Sequence, residues 1–341
     1  MGNRRRGGGK ASALDRWGDE RGDCVHPLWG RPRRVHCVRL LGGGEGVEVK
    51  FGIQGVNSGP ISTADSVARV AILAEELGYE SIWTGEHLLL PDPYAPPAPV
   101  EPECRFVDSV ATLGFMAALT KRIKLGSGII LLPQRDPIVL AKELAGIDVL
   151  SKGRLLFGLG VGYVPAQFEA LGIPYEERGA RTTEHIEVLR TLWSEPKPSF
   201  DGQFTKFSGI QSNPRPVQQP HPPIIVGGDS QLAFRRAVAQ GNGWYGWHGL
   251  EGTVEVLKGL EKAAQEVERP ESLGRLEISI CPTREEPGIT DMDTVKQYED
   301  LGVDRLVFVH DPWDSSRFPS PENEDAVVRF IEEQARPLGL G

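Results

Sequence analysis

The chain has 341 residues, 39% of them hydrophobic and 25% charged, which is enough to bury one large α/β domain or two ordinary ones. No run of 18 apolar residues occurs and no apolar segment follows the basic N-terminus, so we expect a cytoplasmic protein without a membrane span or secretory signal. The four cysteines form no CxxC pair, which argues against a structural metal and against a disulfide framework.

Charge divides the chain near residue 48. Residues 1–48 hold 10 Lys and Arg against 6 Asp and Glu, and the remainder holds 28 against 41, which gives net charges of +4 and −13. Nucleic-acid binding depends on basic side chains that replace counterions along the phosphates. The acidic body therefore argues against a nucleic-acid partner.

The first 48 residues contain the triplet Arg4-Arg5-Arg6 and two glycine triplets, and they show neither a helical nor a strand period. We interpret residues 1–48 as a disordered extension. The alternatives are a nucleic-acid arm or a twin-arginine signal, although the apolar stretch that such a signal needs is missing. We expect residues 49–341 to form one domain, and the natural chain to start near residues 47–49, with the extension added by a misplaced start.

From Lys50 onward, short runs of β-branched residues alternate with helical patterns, which is typical of βαβ units and a parallel sheet. The predicted strands are 50–54, 81–84, 124–131, 155–160, 223–227, 243–246, 277–282 and 305–310. The spacing leaves room for a helix after each strand. Eight such units predict a closed α/β fold, a (β/α)8 TIM barrel with insertion loops, rather than an open sheet.

Capping signals mark several of the predicted helices. The first has apolar residues at helical spacing over residues 67–77, with Ser62 as its expected cap and Gly78 at its end. Pro137 follows Asp136 and begins the third helix as a first-turn proline. Thr290 is expected to begin a later one.

Two connections are too long for simple turns, residues 88–108 and 195–222. Long loops in a compact domain are usually functional or mobile. Within the second, Asp201-Gly202 between apolar residues predicts a small hairpin over residues 200–207.

In barrels of this kind the chemistry lies at the carboxyl ends of the strands. The residues expected there are polar, aromatic and rich in glycine, but poor in carboxylates. Only Glu86 is placed for glycosidase chemistry, which needs two acids on facing strands. The His-x-His spacing typical of metal-dependent hydrolases is absent. We therefore expect neither class, and no metal.

The segment Gly227-Gly228-Asp229-Ser230 ends one strand and begins a helix, with Ser230 as the expected N-cap. Free backbone N–H groups and the helix dipole make such a terminus suitable for binding phosphate. The alternative is a tight turn, since glycine often occupies positions of positive φ.

A second glycine-rich segment, residues 155–162, superficially resembles a dinucleotide fingerprint. However, Pro165 lies where the crossover helix should already run, and the acid expected after a second strand is missing. In a barrel, Gly160 and Gly162 instead allow a flat ring to approach the backbone closely. Ser127 and Gly128 in the third strand are interpreted in the same way.

His87 follows the second strand beside Glu86, a position suited to a general acid or a hydrogen-bond donor near neutral pH. The alternative is a histidine with a purely structural role. Trp244 and Trp247 either wall a ring-binding cleft or fill the core.

Several short segments follow one another in a characteristic order and spacing. They are Phe51-Gly52-Ile53, Ser81-Ile82-Trp83-Thr84-Gly85-Glu86-His87, Lys124-Leu125-Gly126-Ser127-Gly128-Ile129, Leu150-Ser151-Lys152-Gly153-Arg154, Gly158-Leu159-Gly160-Val161-Gly162-Tyr163, Glu169-Ala170-Leu171-Gly172, Arg178-Gly179-Ala180-Arg181 and Pro223-Ile224-Ile225-Val226-Gly227-Gly228. Through them the chain from about Lys50 to its C-terminus resembles the luciferase-like monooxygenase superfamily, particularly its deazaflavin branch, whose members use coenzyme F-420.

The resemblance implies that a flavin or deazaflavin ring lies in the barrel mouth against Ser127 and Gly128, where relatives carry a bulge with a non-prolyl cis peptide. It implies that the phosphate of the cofactor is bound by Gly227, Gly228, Asp229 and Ser230, which agrees with the helix-terminus argument. The remaining candidates for cofactor contact are Thr84, Gly160 and Gly162.

The resemblance also implies catalytic candidates. Glu86-His87 matches the family position whose histidine faces the reactive ring. Some deazaflavin dehydrogenases carry a catalytic glutamate where this chain has Tyr163, which argues against a sugar-phosphate dehydrogenase. Tyr163 is then a candidate for donating a proton or for bonding the cofactor.

We hypothesise an oxidoreductase that exchanges hydride between coenzyme F-420 and a small, fairly apolar organic substrate. One alternative is a two-component monooxygenase that uses reduced FMN and oxygen. Another is a cofactor-binding protein without turnover. No membrane partner is expected, and the resemblance implies a homodimer formed through barrel helices.

Overall fold

The computed structural model describes residues 48–282, 291–309 and 324–341. Its strands are β1 (Lys50–Gln54), β2 (Ser81–Thr84), β3 (Lys124–Ser127), β4 (Ile130–Leu131), β5 (Leu155–Gly160), β6 (Phe200–Asp201), β7 (Lys206–Phe207), β8 (Ile224–Gly227), β9 (Gly243–Trp247), β10 (Glu277–Cys281) and β11 (Arg305–Val309). Its helices are α1 (Ala64–Glu76), α2 (Ser109–Leu119), α3 (Pro137–Ser151), α4 (Pro165–Ala170), α5 (Arg178–Ser194), α6 (Gln231–Gln240), α7 (Leu250–Glu266), α8 (Met292–Asp300) and α9 (Glu324–Ala335).

Three expectations from the sequence concern residues outside these ranges. Except for Glu48, the extension of residues 1–48 is not among the described residues, so its disorder and the natural start of the chain stay predictions. The same holds for Thr290 as a helix start and for residue 310 as the end of the last strand.

The long strands close into a ring in which every neighbouring pair is parallel. Around the ring the order is β3-β2-β1-β11-β10-β9-β8-β5. The ring closes where β3 pairs with β5, with Leu125 opposite Leu155 and Gly126 opposite Leu156. The prediction of a (β/α)8 barrel is confirmed.

One predicted strand, residues 124–131, is divided into β3 and β4. Gly128 and Ile129 lie between them, and the peptide bond that joins these two residues is cis, as the family resemblance implied. The Ser127 hydroxyl donates to Gly158 O (2.7 Å) and accepts from Gly158 N–H (2.9 Å). A side chain therefore supplies the hydrogen bonds that a regular strand would make with its backbone at this level of the barrel.

The helix starts follow local capping chemistry. At α1 the cap is Thr63, whose side chain accepts from Ser66 N–H at 3.2 Å, whereas Ser62 instead donates to the Gly59 carbonyl. The prediction of Ser62 as the cap was therefore wrong by one residue. Pro137 begins α3 as predicted. In the described part of the chain, no helix has the length and apolar character needed to cross a membrane.

The barrel interior is filled below its carboxyl end. At the amino ends of the strands, buried Arg305 forms ion pairs with Glu80 (Nε to Oε2, 2.9 Å) and with Glu277. Above this level the rings of Trp83 and Tyr245 stack with centroids 5.5 Å apart. These two levels obstruct the axis, so the open end of the barrel is the carboxyl end, where the candidate residues lie.

The predicted hairpin is also present, since β6 and β7 pair antiparallel. The Glu184 carboxylate on α5 anchors it by accepting the backbone N–H groups of Gln203 (2.6 Å) and Thr205 (2.7 Å). The hairpin belongs to the connection that enters the amino end of β8, away from the mouth.

Candidate active site

Glu86, two residues after the end of β2, holds the end of β4 in place. Its carboxylate accepts the Leu131 N–H (2.7 Å) and the Nε and Nη2 groups of Arg135, and Arg135 also pairs with Asp108, the N-cap of α2. Burial raises the pKa of Glu86, while Arg135 opposes that shift. These contacts give Glu86 a positioning role, and its predicted catalytic role stays a prediction.

The imidazole of His87 is held from one side by an amide. Its Nδ1 lies 3.0 Å from Nε2 of Gln167, a residue of α4. The rings of Phe106 and Tyr163 meet the imidazole edge-on, with centroids 5.3 and 6.2 Å away. The other ring nitrogen, Nε2, makes no hydrogen bond to any described residue.

Burial lowers the pKa of His87 to about 4. Desolvation disfavours the charged imidazolium, and in the part of the chain that the structure describes no carboxylate contacts the ring to offset it. At neutral pH the ring is therefore uncharged, so one of its nitrogens carries a proton and the other carries a lone pair.

Ile129, next to the bulge, fills the space left by two glycines at the strand ends. A Cβ on Gly160 would lie 2.1 Å from Ile129 Cδ1, and a Cβ on Gly227 would lie 2.9 Å from the same atom. The sequence predicted that Gly160 makes room for a flat ring. In the structure that room is taken by Ile129, so a ring in the mouth would rest on the isoleucine rather than on the Gly160 backbone.

Gly162 has a packing role of its own. Its φ is +74°, and a Cβ there would lie 3.0 Å from the Phe168 ring and 3.3 Å from Gln134 Nε2. Glycine thus lets α4 approach the end of β5. This role accounts for Gly162 without a ligand, and its predicted contact with a cofactor stays a prediction.

Gln54 forms part of the floor of the mouth. Its Nε2 donates to the carbonyl of Gly128 at 2.7 Å, and its Oε1 is buried without a hydrogen-bond partner in the described structure. Thr84 is fully buried, but successive strand residues point to opposite faces, and its neighbour Trp83 faces the axis. The Thr84 side chain therefore points toward the helices, and only its backbone is available for the predicted cofactor contact.

The segment proposed to bind phosphate has the expected local structure. Gly228 has φ +110°, and the Ser230 side chain caps α6 by accepting the Ala233 N–H at 3.2 Å. Asp229 Oδ1 lies 3.0 Å from His248 Nε2, so its carboxylate has a protein partner. The remaining N–H groups of the first turn of α6 point out of the helix end, as at other phosphate-binding helix starts.

The two tryptophans of β9 divide between core and cleft. Trp244 is fully buried, packs on the Phe234 ring and donates its indole N–H to the carbonyl of Gly228 at 3.0 Å. Trp247 lies on the same strand face as Tyr245 and is 39% exposed at the rim. Tyr163 is also partly exposed at the rim, and burial of its remaining surface raises the pKa of its hydroxyl.

The sequence placed Ile129 at the mouth without assigning it a role, and it did not identify Arg135 and Gln167 as site residues. Arg135 had an indirect signal, because a glutamate buried at a strand end requires a cation or donor. Gln167 was detectable only as a polar residue in the first turn of a helix that follows a strand end. Their partners lie 49 and 80 residues away along the chain, beyond the range of any local pattern.

The residues present fit a phosphorylated ring cofactor. Buried Gln54 Oε1 offers an unused acceptor at the floor, His87 Nε2 faces no protein partner in the described ranges, and Gly228 with the capped start of α6 has the local structure of helix ends that bind phosphate. In the same ranges, no three His, Cys, Asp or Glu side chains gather as metal ligands would.

Comparison with known proteins adds independent findings. A family model for luciferase-like monooxygenases matches residues 47–285. An uncharacterized protein of Mycobacterium tuberculosis is 29% identical over 283 residues, covering 80% of this chain and 93% of that protein. The oxygenase component of flavin-dependent trigonelline monooxygenase from Acinetobacter baylyi is 32% identical over 215 residues, covering 61% of this chain and 56% of that protein.

Among solved structures, the coenzyme F-420-dependent tetrahydromethanopterin reductase of Methanopyrus kandleri superposes with a TM-score of 0.64. The match covers 85% of this chain and 98% of that one, at 17% sequence identity. At this level of identity the likeness concerns the fold.

Proposed function

The chain belongs to the luciferase-like monooxygenase family, and we propose that it exchanges hydride between coenzyme F-420 and a small organic carbonyl or alcohol. The observation that carries the proposal is His87, a neutral imidazole at the mouth of the barrel whose Nε2 has no hydrogen-bond partner among residues 48–282, 291–309 and 324–341. When bound, the deazaflavin supplies the two-electron chemistry. The protein supplies binding, orientation and a defined polar contact for the substrate.

Binding is assigned to two regions of the mouth. Gly227, Gly228 and the first turn of α6 would receive the phosphate through backbone N–H groups. Ile129 and Gln54 form the floor on which a ring can rest. Glu86 acts indirectly, because its contacts with Arg135 and Leu131 N–H fix the segment that carries Ile129.

His87 is proposed to bind the reacting oxygen of the substrate. When hydride reaches a carbonyl carbon, two electrons move onto the oxygen, which then takes up one proton from solvent. A hydrogen bond from a neutral N–H stabilises the negative charge that develops on that oxygen. A pKa near 4 makes the imidazolium scarce at neutral pH, so His87 acts as a hydrogen-bond donor rather than as a store of protons.

A second function, an FMN-dependent monooxygenase, is favoured by one specific observation. The relative from Acinetobacter baylyi that is 32% identical is named as the oxygenase component of a flavin-dependent monooxygenase. The same floor, phosphate terminus and histidine would serve reduced FMN. The two functions differ in whether oxygen is consumed.

The test is a pair of assays on the full chain with one panel of aldehydes, ketones and aromatic compounds. Without oxygen, reduced F-420 is mixed with each compound and its reoxidation is followed by absorbance. In air, reduced FMN is supplied and oxygen uptake is measured. Carbonyl-dependent reoxidation of F-420 is the expected result. Substrate-dependent oxygen uptake with FMN, and no reaction with F-420, would assign the chain to the monooxygenases.

In either assay, His87→Asn is the informative variant, since it removes the proposed donor at Nε2. Its control is His221→Asn, which changes a histidine in the connection that enters the amino end of β8. Unchanged turnover in His87→Asn would refute the role of His87. The cytoplasmic location and the homodimer stay predictions.

A further inference from the structure

We propose that Gln167 fixes the tautomer of His87, placing the ring proton on Nε2, so that the site offers a hydrogen-bond donor at that atom. Gln167 is then a positioning residue that acts through His87. The chemical consequence for the substrate rests on the proposed function, but the tautomer itself does not.

The contact with a backbone carbonyl determines the orientation of the Gln167 amide, and a contact with Gln134 is compatible with it. Its Oε1 end accepts from Gln134 Nε2 at 3.1 Å. Its Nε2 end contacts the carbonyl oxygen of Leu89, and a carbonyl oxygen can only accept. Turning the amide over would place its oxygen against the carbonyl oxygen of Leu89.

With the amide fixed, the role of the His87 ring follows. The Gln167 NH₂ group has two hydrogens: one is directed to Leu89 O, and the second is available for His87 Nδ1 at 3.0 Å. A nitrogen that receives a hydrogen bond must present its lone pair. In a neutral ring the proton must then be on Nε2.

The surroundings oppose rearrangement of this chain of amides. Gln167 and Gln134 are both buried, and a Cβ on Gly162 would lie 3.3 Å from Gln134 Nε2, so the backbone of Gly162 lies close to that amide. A rotated Gln167 amide would lose its hydrogen bond to Leu89 O and bring two oxygens together, at a cost of about 1–3 kcal/mol.

Charged groups near the ring do not compete for its protons. Glu86, Arg135 and Asp108 pair with one another. Among the residues that the structure describes, the other titratable group that faces the imidazole is the Tyr163 ring, which meets it edge-on. In the described structure, Gln167 is therefore the polar group that sets the tautomer.

The consequence concerns what the site can bind. An atom placed against His87 Nε2 must accept a hydrogen bond, as a carbonyl or alkoxide oxygen does. A donor such as an ammonium or amide N–H would meet the N–H of the ring and be rejected.

The test is NMR of the full chain labelled with ¹⁵N only in histidine, recorded without cofactor. Long-range correlations between ring protons and ring nitrogens show which nitrogen of each of the seven histidines carries the proton. The His87 signals are identified by their loss in His87→Asn. The wild-type spectrum should show Nε2 protonated and Nδ1 unprotonated, whereas a proton on Nδ1 would overturn the proposal without any further variant.

Two variants test whether Gln167 is the cause. In Gln167→Glu the carboxylate accepts from the ring, so the proton moves to Nδ1 and the pKa of His87 rises. In Gln167→Leu the preference is lost and both tautomers appear. The control, Gln211→Glu, adds the same charge at an exposed glutamine near the amino end of the barrel and should leave the His87 signals unchanged.

Wild-type signals for His87 in a folded Gln167→Glu protein would refute the role of Gln167. Because these spectra need no cofactor, a failure of F-420 and FMN to bind would refute the proposed function and leave the tautomer result intact.

Discussion

The packing of Ile129 against two glycines gives a sharp prediction about the floor of the mouth. In Gly160→Ala the new methyl group would lie 2.1 Å from Ile129 Cδ1, far inside van der Waals contact, which begins near 3.5 Å. The isoleucine must leave its rotamer or move into the mouth. Because the clashing atom is the end of a side chain and not backbone, we expect a loss of about 1–3 kcal/mol in the free energy of unfolding.

Ile129→Val provides the matching test, because this change deletes Cδ1 and retains the remainder of the side chain. Alone it should cost about 0.5–1.5 kcal/mol. In the double variant the added methyl group no longer meets Cδ1, so Gly160→Ala should cost much less there than in the wild type. In a double-mutant cycle, the double variant should be about 1–2 kcal/mol more stable than the sum of the two single changes predicts.

The assay is equilibrium unfolding in urea, followed by far-UV circular dichroism. The control is Gly114→Ala on α2, where a new Cβ would meet no atom within 4 Å. That change should stabilise the protein by about 0.5–1 kcal/mol, because alanine favours the helix and restricts the unfolded chain. A Gly160→Ala protein as stable as the wild type, or a penalty undiminished in Ile129→Val, would refute this account of the floor.

Three further predictions concern named groups at the mouth. Arg135→Met leaves the carboxylate of Glu86 buried without its cation, and should lower the free energy of unfolding by about 3–5 kcal/mol. Adding Glu86→Gln to this variant removes the unpaired charge and should restore part of the lost stability. An equal loss in the single and the double variant would contradict the pairing of Arg135 with Glu86. The pKa of His87 is about 4 in the folded chain and about 6.5 when unfolded. Between these two values the unfolded chain binds the proton more readily, so the folded protein loses stability as the pH falls from 6.5 toward 4. Between pH 7 and pH 4.5, the free energy of unfolding measured in urea should fall by about 2–3 kcal/mol more for the wild type than for His87→Gln. Equal decreases would show that the imidazole is not held neutral in the folded protein. Ser230→Ala removes the cap of α6 and should weaken binding of FMN and F-420 by about fivefold to tenfold while leaving riboflavin, which has no phosphate, unaffected; a parallel loss for riboflavin would place the phosphate elsewhere.

Much of the fold follows from local sequence. The buried strands are short runs bounded by glycine, proline or polar residues, so their limits could be predicted to within a residue or two. Ser230 caps its helix through its own first turn, and Pro137 begins α3 by its fixed φ. Local sequence does not show which of two adjacent polar residues caps a helix, as Ser62 and Thr63 demonstrate. Both residue types cap helices, and only the backbone conformation distinguishes them.

The site depends more on tertiary structure. The division of β3 from β4 was expected from the family resemblance and not from residue spacing. Whether Thr84 or Trp83 faces the axis follows from the register of the closed barrel, which alternation alone does not supply. The state of His87 depends on Gln167, 80 residues away in the chain, and so could not be derived from the residues around His87.

We propose above all that the barrel mouth binds a phosphorylated deazaflavin or flavin. The most direct test is a parallel titration of the full chain with F-420 and with FMN, following quenching of tryptophan fluorescence, since Trp247 lies at the rim and Trp83 beneath the floor. We expect saturable binding, tighter for F-420 than for FMN, and weakened for both by Ser230→Ala. Binding of neither cofactor would contradict it.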